Sequence, residues 1–532
     1  MLTSLSNYLD QLTDRPTPMF SLTDVDGFPY EEFSRRQTIY TECESWYSGS
    51  ALEEVVVGKN NKPIERYPVH INPIKRAVIK HVATLFGEWV QDDRPLVYPR
   101  ILPPDDQGKE IASKAENVLY QTWWENNGRS LQLENGAMSQ IYGGCIFRVV
   151  YDPRDPLRNI PLRIEGIHPR WFIGRPSATD MFRLREAWIV KPIYWDEAME
   201  YGVPLEQDDT GWMLEHWTNQ SYSVSINNQP VTFSVDGERI QAGGANPFGF
   251  VPVVYIPHWR SGGFYGENTF DNSKGTIKEL NARVADFGDA VSVDSHSYLG
   301  MRNVQGSPQL MELAPGYFAF NLGQNPNITG QENNPDLFDV RKPSASGPMK
   351  DLINELENTI RRDMFVPAIA DGEDEGSQRS GLTLAMRMWP LVSHTNLERV
   401  FWTVGLDLLN RMILRILFAK GESEISKEML SYRIREEWSP SLPRDREAQV
   451  AEAVARMTSK IGSPETMLEM LGDVDDIDQE VERILDFQKK IAEITAMAQP
   501  FNQPGFGNNP NSKGKPAAVP QQTQTGKMQT TE

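Results

Sequence analysis

The stretch from Leu382 to Ala419 constrains the fold more than any other. Its apolar content and length predict one helix, which at ~1.5 Å per residue spans roughly 55 Å. Pro390 lies inside it. An interior proline removes one backbone hydrogen bond and clashes with the carbonyl four residues back, so a kink is expected at Pro390. The rest of the chain must be built around that rod.

Two further amphipathic helices precede it. Over residues 273–299, Ile277, Leu280, Val284, Phe287, Val291 and Tyr298 form an apolar stripe. Over 348–365, Leu352, Ile353, Leu356 and Ile360 do the same. Between them, 303–347 is rich in Pro, Gly and Asn, with strand-like pieces at Tyr317 to Asn321 and Leu337 to Val340. That length fits a small β subdomain. The segment 368–381 (AIADGEDEGSQRSG) is acidic, small and polar, and is expected to be a mobile loop.

Upstream, Arg35 to Trp46 predicts a short helix leaving through Tyr47-Ser48-Gly49-Ser50. INPIKRAVIKHVATLFGEW predicts a better one. Ile74, Ala77, Val78, Val82, Leu85 and Phe86 fall on one face, Asn72 is placed to cap it, and Pro73 suits the first turn. Residues 107–142 predict two helices with Gly128 between them, followed by a strand in CIFRVVYD. From 160 to 260, LRIEGI, AWIVKPIYW, WMLEHW, YSVSI and VPVVYIPHW alternate with Pro, Gly and Asn, which suggests mixed or antiparallel sheet. Downstream of the long helix comes a strand, SYRIREEW. Helices then resume, with Ser463-Pro464-Glu465 as an N-terminal signal. Beyond Ala498 almost nothing apolar remains, and a disordered tail is expected. The fold class is α+β, mainly helical.

Composition narrows the function. With 53 Lys and Arg against 73 Asp and Glu, the formal charge is −20, which argues against a general DNA-coating protein. Two cysteines, Cys43 and Cys145, exclude a disulfide-stapled scaffold and are expected as buried free thiols. No apolar run approaches the ~20 residues of a membrane span, and the N-terminus lacks the apolar core of a secretory signal. A soluble protein made in a reducing compartment is expected.

Catalytic motifs are absent. There is no G-x-x-x-x-G-K-[ST], no G-x-G-x-x-G after a strand, and no H-E-x-x-H, C-x-x-C or G-x-S-x-G. The histidines His70, His81, His168, His216, His258, His296 and His394 are scattered, and none pairs locally with an acid and a nucleophile. His81 is expected at the core edge or surface, since no partner His or Cys lies at ligand spacing. Trp123, Trp124, Trp188, Trp217 and Trp402 sit in helix or strand patterns, as core or subunit-contact residues rather than sugar platforms. The acidic run Asp371, Glu373, Asp374, Glu375 departs from the calcium-loop template and is expected to be a solvated loop. No catalytic residue, metal or cofactor is assigned.

Taken in chain order, three blocks resemble the portal proteins of tailed bacteriophages, in the long-tailed-phage branch of about five hundred residues. The first is GFYGENTFDNSKGTIKELNARVADFGDAV, with Leu280-Asn281 on its helix. The second is RSGLTLAMRMWPL, which is similar to an "SG-x-A-L" motif opening a long helix. Thr383 replaces the expected small residue there. The third is EWSPSLPRDREAQVAEAVARM with SPETMLEML and VDDIDQEVERI, where an acidic pair precedes Glu480. The resemblance covers roughly 70 to 485.

What the resemblance implies is a ring, usually of twelve copies, at one capsid vertex. It passes double-stranded viral DNA without sequence specificity during packaging and ejection. Residues 1–272 would be the wing, 273–302 and 348–367 the stem helices, and 303–347 the clip. Residues 368–381 would be the tunnel loop, 382–440 the kinked helix and a wing strand, 441–497 the crown, and 498–532 the tail. The tunnel loop would present Asp371, Glu373, Asp374, Glu375, Ser377, Gln378 and Arg379 toward DNA. Stem charges Lys274, Lys278, Arg283, Arg361 and Arg362 are left for phosphate contacts or ion pairs between subunits. Clip residues Arg302, Asn303, Gln305, Phe338, Arg341 and Lys342 are candidates for docking partners. The implied partners are further copies of the chain, the packaging terminase, head-completion or adaptor proteins, and major capsid and possible scaffolding protein, with no membrane. The implied location is the virion, after synthesis in the host cytoplasm. Two other readings stand beside it: a carboxylate-dependent hydrolase of unrecognised class, and another helical virion scaffold component.

Overall fold

A computed structural model describes residues 25, 27–52, 70–87, 95–153, 155–207, 209–235, 238–294, 298–302, 309–314, 317–322, 336–339, 346–372, 381–422, 425–441, 446–471 and 477–497. The chain divides into two units, 1–444 and 445–532, described separately here.

The first unit opens with α1 (Tyr30–Ser48), longer at its start than its pattern suggests. It ends on Gly49, whose φ of 96° only glycine adopts easily. Helix α2 (Pro73–Phe86) begins as expected: the Asn72 side chain accepts the Ile74 N–H at 3.0 Å. Its stripe Ile74, Ala77, Val78, Val82, Leu85 and Phe86 is buried throughout. Strand β1 (Val97–Leu102) follows, then α3 (Lys109–Glu125) and α4 (Gly128–Tyr142). Gly128 is the first residue of α4.

The predicted strands appear as antiparallel sheets. They are β2 (Gly144–Tyr151), β3 (Leu162–Ile167), β4 (Phe172–Pro176) and β5 (Leu184–Tyr194), then a short α5 (Trp195–Glu200). After these come β6 (Thr210–Thr218), β7 (Ser221–Ile226), β8 (Gln229–Pro230), β9 (Thr232–Val235), β10 (Glu238–Gln241), β11 (Gly243–Ala245) and β12 (Val253–Pro257). One sheet runs β12-β2-β3; a larger one runs β11-β7-β6-β5-β4, with β8 on β7; β9 and β10 pair separately. A buried charge cluster ties the first two sheets together. Arg148 on β2 meets Glu215 on β6 at 2.6 Å and Glu165 on β3 at 3.5 Å, and Lys191 on β5 meets Glu165 at 3.1 Å.

Helix α6 (Lys274–Asp294) is the first amphipathic helix, and it stops earlier than its stripe predicts. Tyr298, expected on the helix, instead opens β13 (Tyr298–Arg302), opposite Phe318. Pairing on both sides of β13 satisfies its backbone better than a further helical turn. The insertion holds β14 (Gln309–Ala314), β15 (Tyr317–Asn321) and β16 (Asp336–Asp339) in the order β14-β15-β13-β16, with β13 and β15 parallel. Helix α7 (Ser346–Asp363) returns and packs against α6.

Helix α8 (Gly381–Lys420) is continuous, with Pro390 inside it. Trp402 is fully buried, edge-on to Phe86 of α2 at 5.4 Å and Phe147 of β2 at 6.0 Å. Gly405 lets α8 lie against β12, because a Cβ there would drive into Ile256. Strand β17 (Arg433–Trp438) then pairs antiparallel with β1, from Leu102 opposite Arg433 to Val97 opposite Trp438. Of the five tryptophans singled out, Trp123, Trp188, Trp217 and Trp402 are core, whereas Trp124 is 61 % exposed. Cys43 and Cys145 are buried free thiols.

The second unit holds α9 (Arg446–Thr458), α10 (Pro464–Leu471) and α11 (Ile477–Met497), each packed on the next. Ser463 caps α10, its Oγ accepting the Thr466 N–H at 3.3 Å. The expected tail, 498–532, lies outside the described residues.

A buried polar chain links α3, α8 and β17. Trp123 Nε1–H donates to Asn410 Oδ1 at 2.9 Å, and Asn410 Nδ2–H donates to Glu436 Oε1 at 3.0 Å. The other Glu436 oxygen is buried without a hydrogen-bond partner. Burial pushes this carboxyl up to about 8, with Asp407 and Glu437 adding repulsion. Its folded pKa thus exceeds its unfolded one. The stability it contributes is complete at acid pH and is lost as pH rises toward about 8. Glu436→Gln keeps the bond from Asn410 and removes the titration. Urea denaturation across that range is expected to show the variant gaining on wild type with rising pH, by up to about 1.4 kcal/mol per pH unit.

Candidate functional site

The scattered histidines converge on Glu398, on the inner face of α8. Among the described residues, three meet there: His394 from one turn earlier on α8, His81 from α2, and His258 from just beyond β12. Glu398 is 1 % exposed. Its Oε1 accepts His258 Nε2–H at 2.7 Å, and its Oε2 accepts Gln140 Nε2–H, from α4, at 2.8 Å. His258 Nδ1 lies 2.8 Å from the Glu267 carbonyl. A carbonyl and a carboxylate can only accept, so both His258 nitrogens carry protons and the ring is an imidazolium. Burial alone would depress His258, but the Glu398 carboxylate outweighs it and holds the pKa above the ordinary value. Burial would likewise raise Glu398, yet His258 leads a set of contacts that hold it far below the usual carboxylate range.

His81 is the correction to the sequence reading: it is wholly buried rather than at the core edge or surface. Its Nε2–H donates to the Met364 carbonyl, just past α7, at 2.8 Å. Burial drops its pKa to about 4, so it is neutral. His394 packs edge-on to His81 at 5.2 Å and stacks on Phe365 at 4.5 Å. Phe365 stands at φ 54°, where glycine is usual after a helix. The Phe365 N–H donates to Arg362 and the Val366 N–H to Arg361, closing the end of α7. Strain of ~1–2 kcal/mol is carried at that residue. The lysine of α2 nearest the following turn, Lys80, donates to the Ala370 carbonyl.

Arg399, next to Glu398, points the other way. Its guanidinium donates to the Leu85 carbonyl at 2.7 Å and the Ser439 carbonyl at 2.9 Å, capping the end of α2, and it lies over Trp438 at 4.9 Å. Burial lowers it to about 10.

The node therefore joins α2, α4, α7, α8 and the chain after β12. Its His81, His258 and Glu398 side chains are buried, with His394 at the edge, and the contacts hold these elements in place. Local sequence offers one clue to it, the i, i+4 spacing of His394 and Glu398. His81 and His258 lie far away in sequence, His258 by 140 residues and His81 by more than twice that, and give none.

Of the charges expected on a stem, Lys274, Arg283 and Arg362 are ion-paired within the chain. Lys274 contacts Glu42 and Asp271, both at 2.7 Å. Lys278 sits 5.6 Å from the Trp46 ring centroid. Arg283 pairs with Glu279 at 2.7 Å and Asp286 at 2.9 Å, and Arg362 with Glu355 at 3.1 Å. Arg361 occupies the last turn of α7. Asp371 ends a 3₁₀ turn over Ala368–Asp371. Glu373, Asp374, Glu375, Ser377, Gln378 and Arg379 lie outside the described residues, as do Asn303, Gln305, Arg341 and Lys342. Arg302 ends β13 and Phe338 lies in β16.

Removing the carboxylate strands the His258 charge. Glu398→Leu is expected to cost about 3–5 kcal/mol. In a double-mutant cycle with His258→Leu, the double variant should lose at least about 1 kcal/mol less than the sum, read by chemical denaturation. Additive losses would contradict the pairing.

A family model described as phage portal protein, SPP1 Gp6-like, matches residues 210–493. No curated protein shows significant similarity to the chain. The match runs from β6 to α11. It takes in α6, the four-stranded insertion, α7 and the Glu398-bearing helix, more than half of the whole chain. The chain belongs to the SPP1 Gp6-like family of phage portal proteins.

Proposed function

We propose that copies of this chain close into a ring, with twelve as the expected number, at one capsid vertex. Viral double-stranded DNA enters and leaves through the central hole. Helices α6 and α7 form the stem. The insertion between them is the clip, where packaging terminase and then head-completion proteins dock. Residues 368–381 line the tunnel, and α8 backs them with a kink at Pro390. The second unit is the crown, and 1–272 with β17 is the wing, facing the capsid protein. The ATPase that drives packaging is a separate protein.

One observation carries this reading: the family match spans a helix–sheet–helix unit in which α6 and α7 pack together and enclose the insertion. Charge supports it. Twelve copies at −20 each would carry roughly −240, which suits a conduit that repels the polyanion rather than holding it. The acidic residues of 368–381 act in the same direction over a Debye length of ~8 Å. With Lys274, Arg283 and Arg362 ion-paired within the chain, those positions of the stem are weaker anchors for DNA. Among the described residues, no helix is long and apolar enough to cross a membrane.

Two deletions test the assignment of parts. A chain lacking 303–347 is expected to form rings that no longer retain the packaging motor in a pull-down. Retained motor binding would place the docking surface elsewhere. A chain shortened across 371–378 is expected to form normal rings and to impair DNA packaging or retention in a reconstituted assay. Unchanged packaging would mean that the loop does not face the channel.

A further inference from the structure

The histidine node carries an inference that does not depend on ring formation. The His81 Nε2–H is committed to the Met364 carbonyl, so its Nδ1 carries a bare lone pair. That nitrogen is buried with no hydrogen-bond partner and points at Glu398 Oε1, 3.9 Å away. Two acceptors thus face each other across a buried gap. His394 Nδ1 closes the third side. It stands 3.0 Å from Oε1 but without the alignment of a hydrogen bond. All three ligand atoms lie within 4.8 Å of one another. Facing buried lone pairs are costly unless something positive lies between them.

We infer that His81 Nδ1, His394 Nδ1 and Glu398 Oε1 form a binding site for a single divalent transition-metal ion, of which Zn²⁺ is the best fit. Two imidazole nitrogens and a carboxylate oxygen match its ligand preferences, and a water completes four-coordination. Zinc ligands in a tetrahedron stand about 3.4 Å apart, so the two pairs with Glu398 Oε1, at 3.0 and 3.9 Å, bracket the need. The outer shell is already built. His81 donates its other nitrogen proton to a backbone carbonyl, as metal-bound imidazoles do. Glu398 is oriented by Gln140 through Oε2 and by His258 through Oε1, which leaves one Oε1 lone pair for the metal. The hard cations Ca²⁺ and Mg²⁺ prefer more oxygen ligands than the site offers. A metal here would clip α2 to α8 and, through Met364, fix the end of α7.

The test uses the purified full-length chain, stripped with a chelator and dialysed against Zn²⁺. The expected result is one tightly held zinc per chain by elemental analysis, with Co²⁺ giving a visible absorption of a four-coordinate nitrogen–oxygen site. His394→Gln, at the edge of the node, and His81→Gln should each weaken zinc binding at least 100-fold. They should also abolish the upward shift in thermal midpoint that zinc gives the wild type. Failure of the folded wild-type chain to hold zinc or to give the cobalt spectrum overturns the site without any variant. Stoichiometric binding that persists unchanged in His394→Gln overturns it too, since the metal would then sit on other histidines.

Discussion

Glu398 is a carboxylate cut off from water, and the first unit is organised by what that charge requires. Burying an isolated carboxylate is prohibitive, so charge and hydrogen-bond donors must be brought to it. They come from β12's exit as the His258 imidazolium and from α4 as Gln140, while His81 of α2 and His394 of α8 close around it. Each arrival fixes an element: α8 across the β12-β2-β3 sheet, α2 beside it, and α7 tied to α2 through the Met364 carbonyl. Arg399, one residue on, does the opposite task with the opposite charge, gathering the carbonyls at the end of α2 and beyond β17. Two adjacent side chains on one helix thereby set how the helical layer meets the sheets.

Where α7 ends, the chain takes Phe365 in a left-handed conformation and stacks its ring on His394. Buried, hydrogen-bonded contacts of this kind hold one geometry rather than a range of them. The insertion between α6 and α7 has its own four-stranded sheet. The charge balance has a parallel logic. Cations that would otherwise grip phosphate are spent on neighbours, as Lys274 is on Glu42 and Asp271.

Much of the secondary structure could be read from spacing, because each cue acts locally. Asn72-Pro73, Gly49 and Ser463-Pro464 set helix ends through their own backbone chemistry, and the stripe of α2 is buried residue for residue. Where the reading failed, the deciding contacts were distant. Tyr298 continues a helical stripe in the sequence but pairs with Phe318 twenty residues on. His81 looked solitary because its partners come from residues 258, 394 and 398, and no periodicity encodes such a meeting. The three blocks that resemble portal proteins are visible because they are ordered along the chain, and the family match covers all three.

The central claim is that this chain works as a closed ring around a hole. The most direct measurement is the shape and mass of the purified full-length chain, by negative-stain imaging with native mass determination. The account predicts annular particles with an axial opening and a mass near twelve times 60.4 kDa. Particles that stay at the mass of one chain across all protein concentrations and salt conditions would contradict it.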